Sequence, residues 1–378
     1  MNIQISCSLG EIIDKITILD IKCDEIKEDF RVKECKKERD ILLDSISYLM
    51  DEKLEYYCSI LKIINKNIWD DQEVLRNKIS INEYYNLAKK VIQDNDARFR
   101  VKNIINTICN SSLKEQKSYK IKSCLVACHP GLGDYINMVP AIRYLSTLYD
   151  NIILPVREIY LENIKLIYMD FPFIEFKMVS SIPSNYYNDV QNLLNQYQND
   201  ELTDIYKMGA FQNNSNIHKS WIPKGFYEDI QIDYDSIYLS KKWFFAINPI
   251  NKSILEKIKK YSIVITHSET SESVCNEVIK KREIEKNNEN TIVIDINKNV
   301  YNSEDKEKYE ISEYFINKPI IYYMSLLCEA NKIIVTNSCL YCLAAQMIHL
   351  KAVEKICYVR VRLEENKKID ERFVYYYF

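Results

Sequence analysis

Apolar residues recur three and four positions apart near the start of the chain. Ile12, Ile13, Ile16 and Leu19 share one face, the spacing of an amphipathic helix. Ser8 and Glu11 precede this run at the three-residue separation of a capping box. The same periodicity predicts helices near 32–50, 52–67, 72–91 and 93–109, with no Gly or Pro to interrupt them. Leu54, Tyr57, Leu61 and Ile64 form a further stripe. Such stripes build the core of a small bundle or, turned outward, a surface for a partner or a homodimer. Residues 1–117 are thus expected to form a helical domain.

After the polar stretch Ser111–Lys120 the period changes. Cys124–Cys128 reads as a short buried strand and Asp134–Tyr149 as a helix. The strands Ile152–Val156, Phe173–Val179 and Asp204–Met208 follow, with helices running to about Met169 and over Tyr187–Tyr197 between them. A second cycle begins with the strand Ile263–Thr266 and a helix from Glu272. It continues through strand Thr291–Ile296, helix Ile320–Ala330, strand Lys332–Thr336, helix Leu340–Ile348 and strand Ile356–Val361. Strands alternating with helices predict parallel βα units covered on both faces. The connector, about 210–260, contains Pro223 and Pro249 and is expected to be irregular. The fold class is therefore α/β: a helical domain (1–117), then two Rossmann-like lobes (118–245 and 246–378) facing a cleft.

Composition narrows the function. Hydrophobic residues make up 47% of the 378 residues, enough for sizeable cores, and the net charge of −3 offers no basic stripe for nucleic acid. The clusters Lys36–Lys37 and Lys280–Lys281–Arg282 alternate with acids and read as solvated helix faces. Twelve scattered cysteines include one CxxC, Cys339 and Cys342, with no second pair at zinc-site spacing. They read as reduced thiols of a cytoplasmic protein, in a host cytoplasm if the source is viral. No signal peptide is expected at the N-terminus, and no apolar run reaches the ~20 residues of a membrane span. Only five glycines occur, so the pair Gly131 and Gly133 reads as a backbone requirement.

Three stretches carry candidate chemistry. In His129-Pro130-Gly131-Leu132-Gly133-Asp134 a strand ends and a helix opens, the place where open α/β sheets bind ligands. It is neither GxGxxG nor a P-loop, since Ile136 stands at the third Gly position and no GK[ST] follows. Asp134 fits two roles, a general base for a hydroxyl nucleophile or a cap on the helix dipole. In Thr336-Asn337-Ser338-Cys339 a second strand gives way to a helix whose free N–H groups suit a diphosphate. Asn337 and Ser338 are alternatively caps of a core helix. His267 and Ser268 follow the first strand of the second lobe, where hydroxyls and a ring nitrogen can meet phosphate oxygens. His129 is a candidate for the acceptor side, Lys207 for offsetting acceptor or phosphate charge, and Trp221, Phe226 and Tyr227 are candidates to stack on a sugar. His218 lies in the connector and His349 at a helix end.

Gly131-Leu132-Gly133-Asp134 with Val139-Pro140-Ala141-Ile142-Arg143-Tyr144-Leu145 resembles the opening βα turn of heptosyltransferase-like glycosyltransferases. The resemblance implies the GT-B arrangement, a nucleotide-sugar donor held mainly by the second lobe, a hydroxyl acceptor on the first, and no metal. It also implies that Asp134 is the base, and that Gly131, Gly133, His267, Ser268, Asn337, Ser338 and Cys339 surround the donor. Asn337, Cys339 and Cys342 stand where that family has Asp, Gly and His. Asp233-Tyr234-Asp235 has the metal-binding spacing of the other glycosyltransferase class but not its context. The helical part has its own resemblance, carried by Ser8–Lys15, Ile68–Asp71 with Leu75-Arg76, and Val91–Arg98 with Lys102 and Asn106. It is similar to an uncharacterised helical domain that accompanies glycosyltransferase-like proteins in bacteria and large DNA viruses. Asp96, Arg98 and Lys102 are expected to form internal ion pairs. The expected activity is sugar transfer, and the alternative is a catalytically degenerate GT-B fold serving as a binding or assembly module.

Overall fold

The computed structural model describes residues 6–113, 115–116, 121–171, 173–218, 222–235, 252–270, 273–347, 350–359 and 370–377. Four helices open the chain: α1 (Leu9–Glu25), α2 (Asp29–Ile46), α3 (Glu52–Leu75) and α4 (Ile81–Ile108). Ser8 caps α1 by accepting the Glu11 N–H. The expected helices over 72–91 and 93–109 are replaced by one long α4, because the chain turns at 76–80 and Ser80 caps α4 through the Glu83 N–H. Leu54, Tyr57, Leu61 and Ile64 are all buried in the bundle core. Arg98 and Lys102 are ion-paired to α1: Arg98 clasps the buried Asp14 carboxylate, and Lys102 reaches Glu11 at 2.5 Å.

Two parallel sheets follow. The first, in the order β3-β2-β1-β4, contains β1 (Ser123–Ala127), β2 (Asn151–Arg157), β3 (Ile174–Val179) and β4 (Thr203–Lys207). The second, in the order β6-β5-β7-β8-β9, contains β5 (Ser262–His267), β6 (Thr291–Asp295), β7 (Lys332–Thr336), β8 (Glu354–Val359) and β9 (Val374–Tyr377). The helices between them are α5 (Leu132–Leu148), α6 (Leu161–Ile167), α7 (Pro183–Tyr197), α8 (Ile222–Asp229) and α9 (Lys252–Ile258) in the first part. The second part adds α10 (Asn276–Lys286), α11 (Lys306–Phe315), α12 (Met324–Glu329) and α13 (Cys339–Gln346). A helical part followed by two doubly wound parallel units is the expected α/β class, and the two units by themselves have the two-lobed layout of a GT-B fold. The connector is less irregular than expected, since α8 and α9 lie in it; α11 and the edge strand β9 were also not predicted. The expected boundaries at 117/118 and 245/246 fall outside the described residues, as do Trp221 and His349.

Both sheets contribute to one apolar core. Val126, Cys128, Ile152 and Leu154 from the first join Ile263, Ile265, Ile292, Ile333 and Val335 from the second. Against this core lies α5, buried along most of its length, with Asn137 and Arg143 among its buried residues. It packs against α4, α8 and α13. Arg100 of α4 clamps its end, pairing with Asp150 at 2.9 Å and donating to the Thr147 carbonyl at 3.3 Å, where a cation meets the negative pole of the helix.

Pro140 interrupts α5, because proline has no N–H and its ring crowds the carbonyl four residues earlier. The next rung is open as well, and the Tyr227 hydroxyl of α8 fills it. The hydroxyl accepts the Ala141 N–H at 3.2 Å and donates to the Asn137 carbonyl at 3.1 Å. Insertion of a side chain into the ladder is an identifiable cause of a helix irregularity. Tyr227 and Phe226 are fully buried, which removes them as sugar-stacking residues. Tyr227→Phe leaves two backbone groups unsatisfied inside the core and should cost about 1–3 kcal/mol in urea unfolding; an unchanged midpoint would show that the rung closes without the hydroxyl.

Candidate functional site

In a doubly wound sheet the ligand crevice opens at the carboxyl ends of the strands where the order reverses. That point lies between β1 and β4 in the first sheet and between β5 and β7 in the second. His129 to Asp134 leave β1, while His267 ends β5 and Asn337 and Ser338 leave β7. The three stretches singled out in the sequence therefore all sit at switch points.

The lobes touch here. A Cβ built on Gly133 would stand 3.1 Å from the Cys342 sulfur and 3.5 Å from the Cys339 Cα, so glycine lets the first turn of α5 meet the first turn of α13. Asn137 Nδ2 donates to the Cys342 sulfur at 3.4 Å across the same seam. Gly131 is required by a different contact, because its own Cβ would fall 2.7 Å from Asp134 Oδ2. That oxygen accepts the Gly131 N–H at 3.2 Å. Asp134 is thus both the cap of α5 and a carboxylate at the lobe seam. Burial pushes its carboxyl up to about 7, partly offset by the Gly131 hydrogen bond.

On the other side of the seam His267 Nδ1 lies 2.5 Å from the Ser338 hydroxyl. His267 is 4% exposed, and burial pushes its ring down to about 4, opposed by the Asp295 carboxylate. The ring is neutral at pH 7. Ser338 is the N-cap residue of α13, yet its side chain makes no capping bond to the helix. The first N–H groups of α13 are therefore without a side-chain cap. The Asn337 N–H donates to the Tyr358 carbonyl at 2.9 Å and ties the turn to β8. The Ser268 hydroxyl is fully buried and has no hydrogen-bond partner. His267, Ser338, Cys339, Gly133 and Asp134 form a chain of direct neighbours across the two lobes.

Other sequence candidates are placed elsewhere. His129 Nε2 accepts the Ala210 N–H at 2.9 Å, which commits that nitrogen to the loop after β4. Lys207 is exposed at the end of β4. Asp233 accepts the Asp235 N–H at 3.0 Å within a turn. Burial pushes the Cys339 thiol up to about 11 and the Cys342 thiol higher still, so neither is a thiolate nucleophile at neutral pH. Arg282 was expected in a solvated face but is 2% exposed. It donates at 3.1 Å to Asp295, which also accepts the Thr266 hydroxyl at 2.7 Å. This layer beneath His267 was not predicted; Arg282 at the i+4 position from Val278 on an otherwise charged helix was the available signal.

The family model that matches is described as a family of unknown function (DUF6165), over residues 1–134. The match runs past the helical part, through β1, to Asp134. No curated protein sequence matches the chain. Among solved structures, the iron-containing dodecameric glycosyltransferase TibC from enterotoxigenic E. coli H10407 is similar at 15% identity and a TM-score of 0.43. That alignment covers 69% of this chain and 65% of TibC, so the chain spans just under two thirds of its length. A glycosyl transferase of family 9 from Veillonella parvula DSM 2008 aligns at 9% identity and a TM-score of 0.37, covering 70% of this chain and 89% of the other. The E. coli ADP-heptose lps heptosyltransferase II aligns at 8% identity and 0.37, covering 68% and 90%. Likenesses this distant carry no information on substrate or activity.

A carboxyl raised in the folded state binds more proton than in the unfolded chain between about pH 4 and pH 7, so its contribution to stability falls as pH rises through that window. Asp134→Asn keeps the cap and removes the charge. The variant should gain about 1–3 kcal/mol over the parent at pH 8 and much less at pH 5. A pH-independent difference in thermal unfolding would contradict the buried, raised carboxyl.

Proposed function

We propose that the protein is a nucleotide-sugar-dependent glycosyltransferase whose donor diphosphate sits at the seam between the two switch points. The observation that carries this reading is the meeting of two helix N-termini, at Gly133 and Cys339, beside the half-buried Asp134 carboxylate and the buried His267 paired with Ser338. Helix N-termini present N–H groups and a positive pole to an anion. In this reading Ser338, Cys339 and the Gly131–Gly133 turn contact the diphosphate, and Asn337 fixes the turn. Asp134 takes the proton from the acceptor hydroxyl as that oxygen bonds the anomeric carbon and the sugar–phosphate bond breaks. A base near pH 7 is well matched to that task. The N–H groups of α13 meet the charge that develops on the leaving diphosphate. In this reading the transfer needs no metal.

The alternative, a degenerate fold acting as a binding or assembly module, draws support from the seam itself. Cys342 fills the space between Gly133 and Asn137, where the heptosyltransferase-like pattern has a His. No helix among the described residues is long and apolar enough to cross a membrane. Cytoplasmic placement and dimerisation through the helical part belong to this proposal and are untouched by the geometry of the site.

A thermal-shift panel of nucleotides and nucleotide sugars separates the two readings, since a ligand bound only by the folded state raises its stability. One nucleotide family should raise Tm, by a margin lost in Asn337→Ala/Ser338→Ala. Sugar transfer from the matching donor should fall at least 100-fold in Asp134→Asn while the Tm rise by nucleotide remains. Folded protein that responds to no member of the panel is the module.

A further inference from the structure

We propose that His267 takes up a proton when a diphosphate occupies the switch point of the second lobe, and then serves as the cation that holds it. This deepens the donor-site reading and rests on it.

Position comes first. His267 is the last residue of β5, and its Nδ1 is engaged by Ser338, the residue that opens α13. Its Nε2 has no hydrogen-bond partner, although the side chain is almost wholly buried. The neighbouring Ser268 hydroxyl is likewise buried and unpartnered. A buried hydroxyl left unsatisfied at this strand end costs free energy unless something binds there. His267 lies where the uncapped N–H groups of α13 begin, a setting that suits an anion rich in oxygen.

Charge comes second. On α10 the residue that faces the sheet is Arg282, and its guanidinium is committed to Asp295 of β6. Lys332, at the amino end of β7, pairs with Glu285 at 2.6 Å. The α13 thiols Cys339 and Cys342 are held protonated by burial. The Tyr323 phenol beside α12 is raised by burial too. Across the seam stands the Asp134 carboxyl. A diphosphate arriving among these groups adds about two negative charges and meets the helix dipole of α13 beside the His267 ring. An opposite charge within about 4–6 Å raises a histidine by roughly 1–3 pH units. Protonation from solvent, at Nε2, then converts an unsatisfied neutral ring into a charged donor. Burial holds the free ring near 4, so the charge is present only when the anion is.

The test uses ¹⁵N NMR of the imidazole rings, tractable because the chain has four histidines. Full-length protein is titrated from pH 5 to 8 with and without saturating inorganic pyrophosphate. The ring signal missing from His267→Gln should be neutral at pH 5.5 without the probe and should gain imidazolium character with it, a midpoint shift of 1–3 units upward. If His267→Gln does not fold, Gln variants of His129, His218 and His349 assign the signal by elimination. Pyrophosphate that raises Tm while this ring stays neutral overturns the proposal and leaves the donor site standing. Pyrophosphate that does not bind overturns both.

Discussion

The burial of most of α5 constrains everything around it. A helix with Tyr135, Ile136, Met138, Val139, Ala141, Ile142 and Leu145 buried, and Tyr144 and Leu148 alone exposed towards its end, cannot turn that long apolar surface to water. It must therefore be enclosed by the sheet of its own lobe, by α4 and α8, and by α13 of the second lobe. That enclosure brings the first turn of α5 against the first turn of α13, so that two positive helix poles, each about half an elementary charge, are pressed together. Apolar packing decides the contact, and electrostatics has to live with it. A seam of this kind favours negative charge, and the carboxylate of Asp134 supplies some of it.

Desolvation then acts on two groups with opposite sign. It disfavours the charged form of each, raising the acid Asp134 to about 7 and lowering the base His267 to about 4. Environments that push the two values away from their ordinary positions are how acid and base roles are divided at a site. Near neutral pH the empty seam carries a half-ionised carboxyl and a neutral ring. An arriving anion presses both toward protonation, Asp134 through repulsion and His267 through attraction. Ionised Asp134 is favoured by higher pH and a proton on His267 by lower pH, so the two demands oppose each other at this seam.

The architecture was legible where the periodicity was long or the punctuation strong. Alternating strands and helices from Cys124 onward, and the glycine turn before α5, gave the two parallel sheets and the place of Asp134. His267, Asn337 and Ser338 were also placed correctly, because strand carboxyl ends are where ligands meet such sheets. What was not legible depends on residues far apart in sequence. The break between α3 and α4 hinges on Ser80 as a cap, and a polar stretch with no Gly or Pro hides it. Phe226 and Tyr227 read as exposed aromatics because nothing local shows that Pro140, some 87 residues earlier, opens a rung for a hydroxyl. Arg282 reads as one of three surface cations, and only the sheet order sets it beside Asp295.

The departures from the heptosyltransferase-like pattern at the second lobe take on a definite physical meaning at this seam. A Gly at position 339 would serve a turn that needs an unusual backbone. Ser338 is extended, with φ −147° and ψ −172°, and Cys339 begins a regular helix, so a Cβ there is tolerated. Asn337 contributes its backbone N–H to the Tyr358 carbonyl, a bond that Asp would make equally well. The change at 342 is of another kind. A His in place of Cys342 would drive a ring into the space where the sulfur already stands 3.1 Å from the Cβ position of Gly133, and overpacking of that order forces neighbours apart. Cys342 and Gly133 are therefore one matched contact. Position 342 thus limits how closely the two lobes approach, and the Ser338 hydroxyl, the Asp134 carboxyl and the first N–H groups of α13 stand beside that contact.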